Sequence, residues 1–171
     1  EDFFGPQPGF AVYEAAYIAN GRWTPEKSGD EAWRQVVRAY FAAISHVDHE
    51  IGRFLSALRE SSLGDNTTVI FLSDNGFNLG NHDSFHKMSQ WDSAAHIPLA
   101  IWHAGMEAGT EIDLPVSLHN VPKTIMQLAG LPPRPDWTSG QSLLPLLNPE
   151  FGTFDDSKSP ITSVFGTLSV R

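Results

Sequence analysis

The sequence contains no cysteine. Disulfides and zinc–thiolate centres are therefore excluded, while the compartment stays undetermined. Basic residues are scarce: 11 Lys and Arg stand against 20 Asp and Glu, giving a formal net charge of −9 and a pI of about 5.1. That balance argues against a nucleic-acid-binding surface and provides no polybasic patch for a membrane. It does not exclude an anionic substrate, because a bound dication and a local lysine can invert the field inside one cleft. No apolar run approaches the length of a membrane span, and no signal peptide is visible. The chain starts at Glu1 rather than Met, so it is expected either to have been processed or to lack its beginning. What remains is globular in character: 171 residues, 41% apolar and 18% charged, are enough for one domain with a real core. Internal repeats and low-complexity tracts are absent.

The most informative stretch is Val69–Lys87, V-I-F-L-S-D-N-G-F-N-L-G-N-H-D-S-F-H-K. Four apolar residues without alternation, Val69 to Leu72, predict a strand buried on both faces, as in a parallel sheet covered by helices. The run then breaks into Ser73, Asp74, Asn75 and Gly76, and polar groups just past such a strand sit where open α/β sheets place their ligands. Asp74 brings a charged oxygen and Asn75 a neutral one, a mixture that suits calcium, or magnesium with a different shell. Two side chains cannot fill a calcium shell of about six to eight oxygens, so further ligands must come from elsewhere. Gly76 is expected to let the chain leave in a conformation that a bulkier residue would resist. Asn75-Gly76 is also a strong hairpin signal. The hairpin needs a second strand, however, and residues 77–87 offer no period-two pattern to supply one.

Around this stretch the pattern alternates. Residues 1–29 are rich in Gly, Pro and aromatics and read mostly as loop, with surface that packs on something else. Ser28 and Glu31 have capping-box spacing. Apolar residues then recur at threes and fours from Trp33 through Val36, Tyr40, Ile44, Val47, Ile51 and Phe54 to Leu58, predicting one long helix that Gly64 ends. His46, Asp48 and His49 lie within it and read as polar flanks of the apolar stripe. Asp65-Asn66 turn the chain into a strand over 67–72. A short helix is expected within 87–95 and a strand over 97–102, with Pro98 near its start. Asn120 is a plausible N-cap with Pro122 in the first turn, for a helix running to Ala129 before Gly130. Residues 142–147 form a short apolar element, and 161–164 and 167–170 read as strand fragments. Helices and buried strands in alternation predict an α/β layer with a mostly parallel sheet flanked by helices. The domain reading is a loop-rich segment over 1–29, an α/β portion over 30–150, and the start of a small β-containing subdomain over 151–171.

S-D-N-G after a buried strand, then L-G, then H-K, then W-D-x-A-x-H-I-P-L at 91–99, resembles the sulfatase family of the alkaline phosphatase superfamily. Three further segments resemble that family in the same order: 40–55 its helix before the S-D-N-G strand, 117–131 its helix after the next strand, and 140–147 its G-x-S-L-x-P-L segment. The resemblance implies an alkaline phosphatase-like fold and hydrolysis of a small sulfate ester. It implies a formylglycine nucleophile, made from the Cys or Ser of a C/S-x-P-x-R motif, beside a calcium ion held by acidic residues and an Asp-Asn pair. Carried over by residue, Asp74 and Asn75 match the metal pair. Lys87 matches the lysine on the sulfate and leaving oxygen. His86 and His82 are candidates for lining the substrate site or moving a proton. The C/S-x-P-x-R motif and the early acidic pair are absent, and His119-Asn120 stands where the family often has an acidic residue. The resemblance therefore covers the C-terminal portion of such an enzyme, and the isolated chain is expected to be inactive.

Three alternatives follow from the same residues. Phosphonate monoester and phosphodiester hydrolases of the same superfamily share comparable metal ligands. His82 and His86, four apart, have zinc-site spacing, but the position after the first histidine is Asp83 and the flanks are not an apolar helix. A non-catalytic binding module on the same fold would explain the missing nucleophile. Compartment, oligomeric state and the individual substrate are not encoded in any of these motifs.

Overall fold

A computed structural model of the chain describes residues 30–81, 87, 89–103, 106, 109–132, 134 and 140–157, and the backbone of 161–164 and 167–170. The chain divides into two compact units, Glu1–Met106 and Glu107–Arg171.

Among the described residues of the first unit, α1 comes first, Asp30–Glu60, and its first turn carries Asp30 and Glu31 where the positive helix end favours acidic residues. The capping role of Ser28 lies outside the described residues. Val36 is buried, with Trp33, Val37, Phe77 and Leu79 packed against it, and the rings of Tyr40 and Phe77 stack at 5.7 Å. This covers only the first turns. Further along the same stripe, Phe41 is 57% and Phe54 58% exposed, with Ile44 and Val47 about half exposed. The periodicity placed the stripe correctly, but the short segment around Phe77–Leu79 is too small to bury all of it. The helix stops at Glu60, ahead of the expected Gly64, which is buried in a 3-10 turn over Gly64–Asn66 leading to the first strand.

That strand is β1, Val69–Leu72, and it pairs with β2, Leu99–Trp102. The pair is antiparallel, from Val69 opposite Trp102 to Leu72 opposite Leu99, which corrects the expected parallel arrangement for these two strands. A parallel partner needs a crossover that carries the chain back to the strand's start, usually a helix of a dozen residues or so. Between Leu72 and Leu99 the only described α-helix is α2, Asp92–Ala95. The Gly76 N–H donates to the Ala94 carbonyl at 2.8 Å, so the returning limb lies beside the departing one. The chain thus re-enters at the end where β1 finished and must run back along it. At the other end of the pair, Thr68 Oγ1 and His103 Nδ1 lie 2.9 Å apart. Asn75-Gly76 does not form a hairpin, since the partner of β1 is β2. Burial on both faces is also corrected: Phe71 and Leu72 are exposed in this chain.

The second unit centres on α3, Val121–Leu128, and the short helix α4, Leu144–Leu147. Asn120 stands at the N-cap position of α3 as expected, with Pro122 in the first turn, but its side chain makes no capping hydrogen bond to that helix. It ends a 3-10 turn, Leu118–Asn120, whose own cap is Ser117; the Ser117 N–H donates to Asn120 Oδ1 at 2.8 Å and the His119 N–H to Ser117 Oγ at 3.3 Å. Asn120 also donates from Nδ2 to the Gln141 carbonyl at 2.8 Å. Here Gly140 comes so close to the His119 carbonyl that a Cβ would stand 1.9 Å from its oxygen. At the heart of the unit Thr124 is wholly buried. Its hydroxyl donates to the Asn120 carbonyl at 2.8 Å and accepts from the buried Leu143 N–H at 2.9 Å. Thr124→Val keeps the shape but strands that N–H, at a cost of about 1–3 kcal/mol. A thermal midpoint several degrees lower is the expected outcome, with an unchanged midpoint showing that the Leu143 N–H finds another acceptor. The chain ends in β3, Ile161–Val164, and β4, Thr167–Val170, paired antiparallel over the two spans that the sequence predicts.

Candidate functional site

The site is built where β1 ends. Ser73 Oγ donates to the Asn75 carbonyl at 2.7 Å, folding the chain into a tight turn immediately after Leu72. Inside this turn Asp74 is exposed and Asn75 half-buried. Asn75 donates from Nδ2 to the Gly76 carbonyl at 2.8 Å, which sets the orientation of its amide. Its Oδ1 then faces Lys87, whose Nζ donates to it at 3.0 Å. Asn75 and Lys87, twelve residues apart in sequence and expected in separate tasks as ligand and anion contact, come together across the loop.

Gly76 has a different reason from the one expected. Its φ is not among the positive ones. The requirement is close approach: a Cβ on Gly76 would stand 2.2 Å from the Ser93 carbonyl oxygen. Gly80 is where the backbone demands glycine, with φ +98° and the Trp33 ring so near that a Cβ would stand 1.8 Å from it. Between these glycines the sequence reading missed Asn78, which is fully buried. It donates from Nδ2 to Ser89 Oγ at 2.9 Å and accepts from Ser93 Oγ. Its signal in the sequence is faint: a polar residue between Phe77 and Leu79, both of which pack on Val36.

His82 and His86 lie outside the described residues. Among the described residues no three His, Cys, Asp or Glu side chains gather as a metal cluster. A calcium ion would therefore find in them two hard oxygens on adjacent residues, Asp74 and Asn75, which fit as part of a shell. The Asn75 oxygen already meets a positive charge, that of Lys87. His46, Asp48 and His49 are exposed on α1. An open concavity there, lined by Asp48, His49, Arg53 and Glu60 among others, contains none of Asp74, Asn75 and Lys87. It is a groove along a single uncovered helix, and the polar-flank reading of these residues suffices.

The model of the sulfatase family matches residues 7–131. The chain belongs to the sulfatase family. A sulfatase of Formosa agariphila is 33% identical over 126 residues, covering 74% of this chain and 24% of that protein. Arylsulfatase K of Danio rerio is 36% identical over 119 residues, covering 70% and 23% respectively. The chain thus spans about a quarter of the length of these relatives. Among solved structures, a protein bound to its substrate D-glucosamine-2-N,6-O-disulfate superimposes with a TM-score of 0.73 at 25% identity, over 93% of this chain and 34% of that one. A phosphonate monoester hydrolase from Silicibacter pomeroyi gives a TM-score of 0.69 at 25% identity, over 86% and 31%. The α/β class and the alkaline phosphatase-like fold are those of this chain's structural neighbours.

Proposed function

We propose that the full-length protein hydrolyses a small sulfate ester, and that this chain supplies one side of its active site. Asp74 and Asn75 would hold part of the coordination shell of a calcium ion, or of magnesium. Lys87 would contact the sulfate and the leaving oxygen, with His86 and His82 lining the substrate site or moving a proton. When bound, the metal supplies positive charge to the ester oxygens. The nucleophile, a formylglycine in this reading, would come from a part of the family's fold that these 171 residues do not match. What supports the reading most is the approach of Lys87 Nζ to Asn75 Oδ1, 3.0 Å across the loop. It brings an ammonium donor to the amide oxygen of Asn75, with the Asp74 carboxylate on the adjacent residue, the charge types that binding of a charged ester beside a cation requires.

Lys87→Ala in the full-length protein is expected to lower kcat/KM for an aryl sulfate by about 100-fold or more, as loss of a charge-stabilising donor does. An unchanged kcat/KM would make Lys87 a solvated surface charge. The likeness to a phosphonate monoester hydrolase favours a second reading, in which the ester is a phosphonate or phosphate. Both esters present a tetrahedral anionic centre. Parallel assays on an aryl sulfate and an aryl phosphodiester separate them, and a preference for the phosphodiester would overturn the sulfate reading.

A further inference from the structure

A buried amide is stable only where its donors and acceptor are matched. Asn78 is such an amide, fully enclosed although it sits in the middle of a loop. Its Nδ2 reaches Ser89 Oγ at 2.9 Å and its Oδ1 takes the Ser93 hydroxyl. Both serines belong to the returning limb, which carries Lys87 and leads into β2. The Asn78–Ser89 bridge therefore joins the limb that bears Asp74 and Asn75 to the limb that bears Lys87. The Ser89 N–H in turn donates to the Lys87 carbonyl at 2.9 Å, so the bridge reaches the lysine's own backbone. Apolar packing of Phe77 and Leu79 on Val36 already holds the loop against α1. The polar bridge adds direction, because hydrogen bonds fix separation and angle where packing alone does not.

We propose that Asn78 is a positioning residue for this site: by bridging Ser89 and Ser93 it sets where Lys87 stands relative to the Asp74–Asn75 pair, and so tunes the affinity of that pair for its metal. The inference rests on the metal reading above. It assigns Asn78 no contact with substrate or ion.

The test uses the full-length protein, with calcium affinity read by titration calorimetry at constant pH and ionic strength. Hydrogen exchange is read over peptides covering 69–72 and 73–81. Asn78→Leu preserves size and removes the hydrogen bonds to Ser89 and Ser93. It is expected to weaken calcium binding by about tenfold, the scale at which residues behind a metal ligand act, and to speed exchange in 73–81 while leaving 69–72 protected. Ser89→Ala deletes a single hydroxyl and is expected to cost part of that loss. The double variant Asn78→Leu/Ser89→Ala should lose no more than Asn78→Leu alone, since both act through one bridge. If Asn78→Leu does not fold, Ser89→Ala and Ser93→Ala carry the test: affinities within about twofold of wild type for both, a change too small for residues coupled through one network, overturn the inference. It is also overturned if Asp74→Ala weakens binding while Asn78→Leu matches wild type in affinity, even with a lowered melting temperature. In that case the metal reading stands and Asn78 is structural only. If Asp74→Ala itself leaves the affinity unchanged, the metal reading falls first and the inference falls with it.

Discussion

Asp74→Ala in the full-length protein should reduce calcium affinity by about 100-fold, since the count of charged ligands tunes such sites over decades. Turnover of an aryl sulfate should fall with it. The argument is one of charge. Of the two oxygen donors past β1 only Asp74 carries a full negative charge, and the Asn75 oxygen is shared with an ammonium that competes for its lone pairs. Without the carboxylate, a dication would face a neutral amide beside the positive Lys87, an arrangement that repels it. Asp74 is exposed, so its loss should leave the melting temperature nearly unchanged. That separates ligand loss from unfolding. Calorimetric titration of the two proteins decides the matter, and equal affinities would remove Asp74 from the coordination shell.

Gly76→Ala is expected to damage the first unit through backbone atoms alone. The new Cβ would stand 2.2 Å from the Ser93 carbonyl oxygen and 3.0 Å from its carbon, and both are backbone atoms that cannot rotate away. The same residue donates the 2.8 Å hydrogen bond to Ala94 that holds the two limbs together. The limbs must separate, which breaks that bond and carries Asn75 away from Lys87. Overpacking of this kind costs about 1–3 kcal/mol. The site should suffer more than the fold: calcium affinity and kcat/KM should both fall by more than the drop in melting temperature would suggest. A Gly76→Ala protein with wild-type affinity would show that the limbs can part without disturbing the ligands. Gly52 offers the control, because a Cβ there meets no atom within 4 Å.

Much of the fold was legible because it is local. The long helix shows in spacing at threes and fours, and its observed span, Asp30–Glu60, follows that stripe. Strands β3 and β4 fall on the two apolar fragments near the chain's end. The turn after Leu72 shows in the change from four apolar residues to Ser-Asp-Asn-Gly. Asp74, Asn75 and Lys87 were legible as chemistry: two oxygens and an ammonium in one stretch, in an order that resembles a family to which the chain belongs.

The sequence by itself determined the element types, most of their boundaries and the family. Tertiary structure alone decided the direction of β2, since strand pairing depends on where the intervening limb returns and the Gly76–Ala94 hydrogen bond returns it to the end of β1. It decided how much of the apolar stripe on α1 is covered, since periodicity shows which face is apolar but not how much surface is available to bury it. It also decided the role of Gly76, which is set by a carbonyl seventeen residues away rather than by the glycine's own φ. The burial of Asn78 belongs to the same class. Local pattern reports on neighbours along the chain, whereas an amide held between Ser89 and Ser93 depends on two limbs meeting in space.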